Sequence, residues 1–136
     1  MFKSVKENEE KMGIGEKKMS YRKGYRIEDL ASDIMFTSRG AKCVRSGGSH
    51  GVADLICGNG ETVYVVQVKG GTKLPYIDWE ELERFAKLFK GVPILLYKPD
   101  YRPFIACYCK EDLEELREYI RDLRKEKNAV PKMRLP

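Results

Sequence analysis

The run Val63-Tyr64-Val65-Val66 constrains this chain more than any other stretch. A continuous apolar run of this kind is read as a strand buried on both faces, which gives it a central place in a sheet. It ends in Gln67-Val68-Lys69. Upstream lies a second short run, Val52 to Cys57, separated from the first by Gly58-Asn59-Gly60, a turn of the kind favoured in hairpins. Side chains alternate along a strand with period two. If the two runs are antiparallel neighbours, Asp54, Gln67 and Lys69 meet on one face.

The flanking segments supply helices and three more strands. Ile27, Leu30, Ala31, Ile34 and Met35 recur at spacings of three and four, which predicts an amphipathic helix from about Tyr25 to Phe36, stopped near Arg39-Gly40. Ala41 to Arg45 reads as a strand, followed by the loop Ser46 to Gly51. Gly70 to Ile77 reads as a loop. Asp78-Trp79-Glu80-Glu81 has the form of a capped helix start, with Trp79, Leu82, Phe85, Ala86 and Phe89 continuing the helical spacing. Pro93 to Tyr97 and Phe104 to Cys109 are the fourth and fifth strands, and Leu113, Leu116, Ile120 and Leu123 mark a helix from about Glu111 to Lys125. The expected fold is α/β, a mixed five-stranded sheet flanked by helices.

A chain of 136 residues is most economically one domain. The expected division is a basic arm over residues 1–20, a single domain over 21–127 and a tail over 128–136. The arm reads either as a solvated tail or as a segment that lays its lysines on a phosphate backbone. No apolar run approaches the roughly 20 residues needed to span a bilayer, and the N-terminus lacks the apolar core of a signal peptide. A cytoplasmic protein with no membrane partner is expected. Lys and Arg exceed Asp and Glu by 26 to 21, a modest positive balance that suits a nucleic-acid partner. The four cysteines, 43, 57, 107 and 109, match none of the usual zinc spacings and are expected as reduced, buried thiols.

The chemistry to which these residues point is phosphodiester hydrolysis assisted by a divalent metal. Such a reaction needs hard oxygen ligands for the cation and a positive group to position the attacking water. Asp54, together with Glu28 beside the apolar stripe of the first helix, supplies carboxylates, Gln67 an amide oxygen, and Lys69 the positive charge. The single histidine, His50, leaves little material for a histidine-based zinc site or a Ser/His/Asp triad. It reads either as solvated or as a contact to phosphate. Neither glycine-rich nucleotide-binding motif is present, so no nucleotide cofactor is expected. Trp79, Phe85 and Phe89 read as core or dimer contacts.

At this point the sequence resembles the archaeal-type Holliday junction resolvases, a family within the restriction-endonuclease-like PD-(D/E)xK nucleases. The resemblance is carried by Lys23-Gly24 with Glu28, by Val44-Arg45-Ser46 through Ser49 and Gly51, by Asp54-Leu55-Ile56, by the Gly58-Asn59-Gly60 turn and by Val68-Lys69. It implies a restriction-endonuclease-like fold and a homodimer that nicks opposing strands of a four-way or other branched DNA, leaving 5′-phosphate ends. It implies Mg²⁺, with Mn²⁺ as a substitute, held by Glu28, Asp54, Gln67 and Val68, while Lys69 orients or activates the water and Ser49 lies beside the site. The DNA contacts expected on this basis are Lys23, Arg26, Arg45, Ser46, Ser49 and His50, joined by Lys73 and Tyr76 in the loop after the third strand.

Gln67 departs from the family pattern, which has Glu at this position. A glutamine carbonyl still coordinates a cation but brings no charge. Three readings stand: an active natural variant, a protein that binds junctions without cutting them, and an engineered or otherwise inactive form. A nuclease of the same fold with another DNA substrate, in repair or restriction, is the alternative within the enzyme class.

Overall fold

A computed structural model of the protein describes residues 27–46 and 52–134, with side chains described as far as Glu126. In chain order the elements are α1 (Ile27–Arg39), β1 (Lys42–Arg45), β2 (Leu55–Gly58), β3 (Val63–Gly71), α2 (Trp79–Leu88), β4 (Val92–Pro99), β5 (Ile105–Cys107) and α3 (Lys110–Arg134). The described residues thus form a mixed five-stranded sheet with three helices, in strand order β1-β2-β3-β4-β5. The β3–β4 pair is parallel and the other three pairs are antiparallel. As the unbroken apolar run implied, β3 is the middle strand, and Val65 and Val66 are both fully buried on its opposite faces.

Those two faces carry different helices. Leu30, Ala31, Ile34 and Met35 of α1 pack on Leu55, Cys57, Val66, Val68, Ile94 and Leu96. Trp79, Leu82 and Ala86 of α2, with Leu113, Leu116 and Ile120 of α3, pack on Val65, Leu95, Tyr97, Ile105 and Cys107. Burying a side chain of this size contributes about 1.5–3 kcal/mol. The alternation of β3 therefore places Gln67 and Lys69, which share a face with Val65, on the side of α2 and α3.

Caps and loop bonds fix the element ends. Asp78 is the N-cap of α2 and its Oδ1 accepts from Glu81 N at 3.0 Å, as the Asp78…Glu81 spacing predicted. The α1 helix runs past Phe36 to Arg39. Its last turn is polar and shows no apolar period, and the Ser38 hydroxyl folds back onto the Ile34 carbonyl at 2.6 Å. Gly40, at φ +64°, then ends the helix. β5 is shorter than expected because the Tyr108 N–H leaves the sheet and donates to Asp112 Oδ2 in the first turn of α3. α3 itself continues to Arg134, through residues expected as a tail. That extension contains Pro131, which disfavours a helix interior and made the stretch read as a tail in the sequence.

The expectation of four reduced thiols is overturned at two positions. Cys43 and Cys57 form a disulfide across β1 and β2, with Cα atoms 4.0 Å apart. They occupy the same rung of the antiparallel pair, Cys43↔Cys57, a relation set by strand register and invisible in their spacing along the chain. Cys107 and Cys109 are thiols. Burial, followed by the charge of Asp112, pushes the Cys107 thiol up to about 12.

Candidate active site at the end of the central strand

Asp54 stands immediately before β2, where the chain leaves the β2–β3 ladder. Its N–H donates to the Val66 carbonyl at 2.8 Å, and its own carbonyl accepts from Ser46 N at 3.0 Å. The side chain then takes over the role of a strand partner, and Oδ2 accepts from the Val68 N–H at 2.7 Å. This explains why β2 begins at Leu55 rather than at Val52. It also ties the carboxylate to β3 between Gln67 and Lys69, leaving Oδ1 as the second oxygen of the group.

Gln67 and Lys69 are both half-buried on β3, and the Gln67 Oε1 atom is itself buried. In the parallel pair, Gln67 is level with Leu95 and Lys69 with Tyr97. The Tyr97 hydroxyl donates to the Gly71 carbonyl at 2.7 Å. Burial, and then the charge of Asp100, raises the phenol's pKa and keeps it a donor. Val68 faces the other way, into the core under α1, so only its main chain is turned toward Asp54.

Glu28 lies on α1, which covers the opposite face of the sheet from Gln67 and Lys69. It is half-buried in the first turn of α1, next to Ile27, which closes on the end of β3. A Cβ placed on Gly70 would stand 2.6 Å from Ile27 Cδ1 and 2.9 Å from the Lys98 carbonyl oxygen. The absence of a side chain at Gly70 is what lets the helix start lie directly against the strand that carries Lys69.

Arg45 is directed away from Gln67 and Lys69. Its rung partner is Leu55, which faces α1, and its Nη2 pairs with Asp29 Oδ1 at 2.7 Å. Both side chains are roughly half exposed, so the pair adds at most about 1 kcal/mol. Ser46 is half-buried beside Asp54, while Lys73 and Tyr76 are exposed on the loop after β3, Tyr76 at 82%. Lys23, Arg26, Ser49 and His50 lie outside the described residues, as does the N-terminal arm.

A family model described as archaeal Holliday junction resolvase (Hjc) matches residues 19–131. The chain belongs to this family. Among solved structures it is similar to that of Archaeoglobus fulgidus Hjc, a Holliday junction resolvase from an archaeal hyperthermophile, at 22% identity and a TM-score of 0.48, over 60% of this chain and 74% of that chain. The search among curated proteins finds no match.

For a resolvase of this family, the donors around β3 are hard oxygens, the type that Mg²⁺ prefers. At β3 they are the Asp54 carboxylate and the neutral Gln67 amide, while Glu28 stands on α1 across the sheet. Among the described residues no cluster of three or more His, Cys, Asp and Glu gathers for a metal. The donor set therefore fits a divalent cation in kind while providing less charge than three carboxylates would. A buried neutral amide also costs less than a buried carboxylate when no cation is near. Sequence reasoning had no means of finding Tyr97 or Asp29, because their roles depend on the β3–β4 register and on how α1 crosses β1. Gly70 was visible only as part of a loop.

Proposed function

We propose that this resolvase-family chain is an active, structure-selective endodeoxyribonuclease that hydrolyses phosphodiesters of four-way DNA junctions with a divalent metal, Mg²⁺ or Mn²⁺. The observation that carries the reading is the Asp54 carboxylate bonded to the Val68 N–H, between Gln67 and Lys69, in a chain matched to the family over residues 19–131. Asp54, Glu28 and Gln67 hold the cation, with the main chain at Val68 beside them. When bound, it polarises the phosphoryl oxygen and acidifies water. Lys69 holds the attacking water by its ammonium group and offsets charge that develops on the phosphate. The water oxygen bonds to phosphorus as the P–O3′ bond breaks, giving a 5′-phosphate and a 3′-oxygen that takes up a proton to become a hydroxyl. Ser46, Lys73 and Tyr76 contact the DNA backbone around the site, joined by Lys23, Arg26, Ser49 and His50, while Arg45, paired with Asp29 on the α1 side, contacts it from that face.

The working unit in this reading is a homodimer with one site per strand. Support comes from the end of α2, where Leu88 is 77% exposed and Phe89 stacks edge-on against Phe85 at 5.3 Å. A second reading is favoured by Gln67 alone: a junction-binding protein that does not cut. Cleavage by the wild-type chain separates the two, and Lys69→Ala tests the site. The active reading expects cleavage to be abolished with junction affinity largely kept, and retained cleavage by Lys69→Ala contradicts the site. A wild-type chain that binds junctions tightly without nicking them supports the second reading. Equal cutting of linear duplex or flap DNA supports a different nuclease of the same fold.

A further inference from the structure

We infer that Tyr97 is a positioning residue for Lys69, acting through the hydrogen bond from its hydroxyl to the Gly71 carbonyl. The inference rests on the proposed role of Lys69, but its structural half stands separately. Lys69 lies near the end of β3, two residues before Gly71, and a strand end is only as fixed as its last bonds. Gly71 adopts φ +117°, a conformation in which the chain turns out of the strand toward the Lys73–Tyr76 loop. Tyr97 is fully buried and starts from the rung level with Lys69, while its hydroxyl ends on Gly71. Its ring therefore runs alongside β3 from the Lys69 rung to the point where the strand turns.

The two faces of the strand end are held by different devices. On the α1 side, Ile27 and the Lys98 carbonyl close on Gly70. On the side of Gln67 and Lys69, the bond from Tyr97 to Gly71 adds a side-chain tie to the β4 ladder, which pairs Gly71 with Pro99. A catalytic group displaced by even about 1 Å loses up to about a hundredfold in rate. Loss of this one hydroxyl should therefore be felt at Lys69 while the ring keeps its place in the core.

The test is Tyr97→Phe, with Tyr119→Phe on α3 as a control. Amide hydrogen exchange read by mass spectrometry should show faster exchange in the peptide covering residues 69–77 and unchanged exchange in β4 and α1. Single-turnover cleavage of a four-way junction at saturating protein and Mg²⁺ should fall about tenfold or more, while the junction Kd measured without metal stays within about twofold. Tyr119→Phe should leave both readouts unchanged. Unaltered exchange over 69–77 overturns the anchor. A cleavage rate equal to wild type, or a loss confined to Kd, overturns the positioning role. If the wild-type chain does not cut, the proposed function and the Lys69 role fail together, and the exchange experiment still decides whether Tyr97 holds the end of β3.

Discussion

Reducing the Cys43–Cys57 disulfide should lower the stability of the fold by about 3 kcal/mol. The bridge spans a sequence separation of 14, and cross-linking a loop of about 15 residues removes roughly that much free energy from the unfolded chain in the loop-entropy account. The bridge is placed where non-covalent support is thinnest. β1 is a four-residue edge strand with no fully buried residue, and Val44 is 67% exposed. For a domain of this size each kcal/mol moves Tm by about 4 °C, so a fall on the order of 10 °C is expected on adding a phosphine reductant. Thermal melts with and without reductant measure it. Alkylation before reduction, followed by mass analysis, should leave Cys43 and Cys57 unlabelled. Melting curves that coincide, or four alkylated cysteines in the unreduced chain, would refute the reasoning.

Two further perturbations have expected outcomes. Gly70→Ala forces a methyl group against Ile27 and the Lys98 backbone, and should cost about 1–3 kcal/mol in a denaturant melt. It should also weaken metal binding by displacing Glu28; unchanged stability would contradict the close approach of α1 to β3. Glu80 bonds Lys110 at 2.8 Å, and that hydrogen bond holds its carboxyl below the ordinary value of 4.5. Its folded-state pKa is depressed, so its stabilising effect is present above the unfolded pKa and lost as pH falls through the folded one. Lys110→Met should therefore lower stability slightly at pH 7, and the gap to wild type should close as pH falls toward 3; a gap that is unchanged or widens in acid would contradict the linkage.

The parts of this fold that were legible in the sequence are those governed by local periodicity and capping. Val63 to Val66 announced a central strand, and Asp78 with Glu81 announced the start of α2. The approach of Asp54 to the Gln67–Lys69 stretch followed from a hairpin turn and a two-residue period. What escaped the sequence depends on register between distant segments. Cys43 meets Cys57, and Lys69 stands level with Tyr97, only once strand pairing is fixed by packing. The layer on which α1 and Glu28 lie was equally hidden, since an amphipathic helix does not state which face of a sheet it will cover. The extent of α3 was missed because Pro131 reads as a helix stop, and sequence alone does not show that the helix continues through it.

The central claim is that Gln67 leaves the site weakened toward metal but competent. Its most direct test is cleavage of a labelled four-way junction and a matched linear duplex across a Mg²⁺ titration, comparing wild type with Gln67→Glu and mapping the products. The account predicts paired, metal-dependent nicks in opposing strands of the junction alone. Gln67→Glu should reach the same plateau, within a few-fold, at a Mg²⁺ concentration lower by about tenfold, because ligand charge tunes cation affinity. A wild-type chain that binds the junction and leaves it uncut at every Mg²⁺ concentration, while Gln67→Glu cuts it, would contradict the claim.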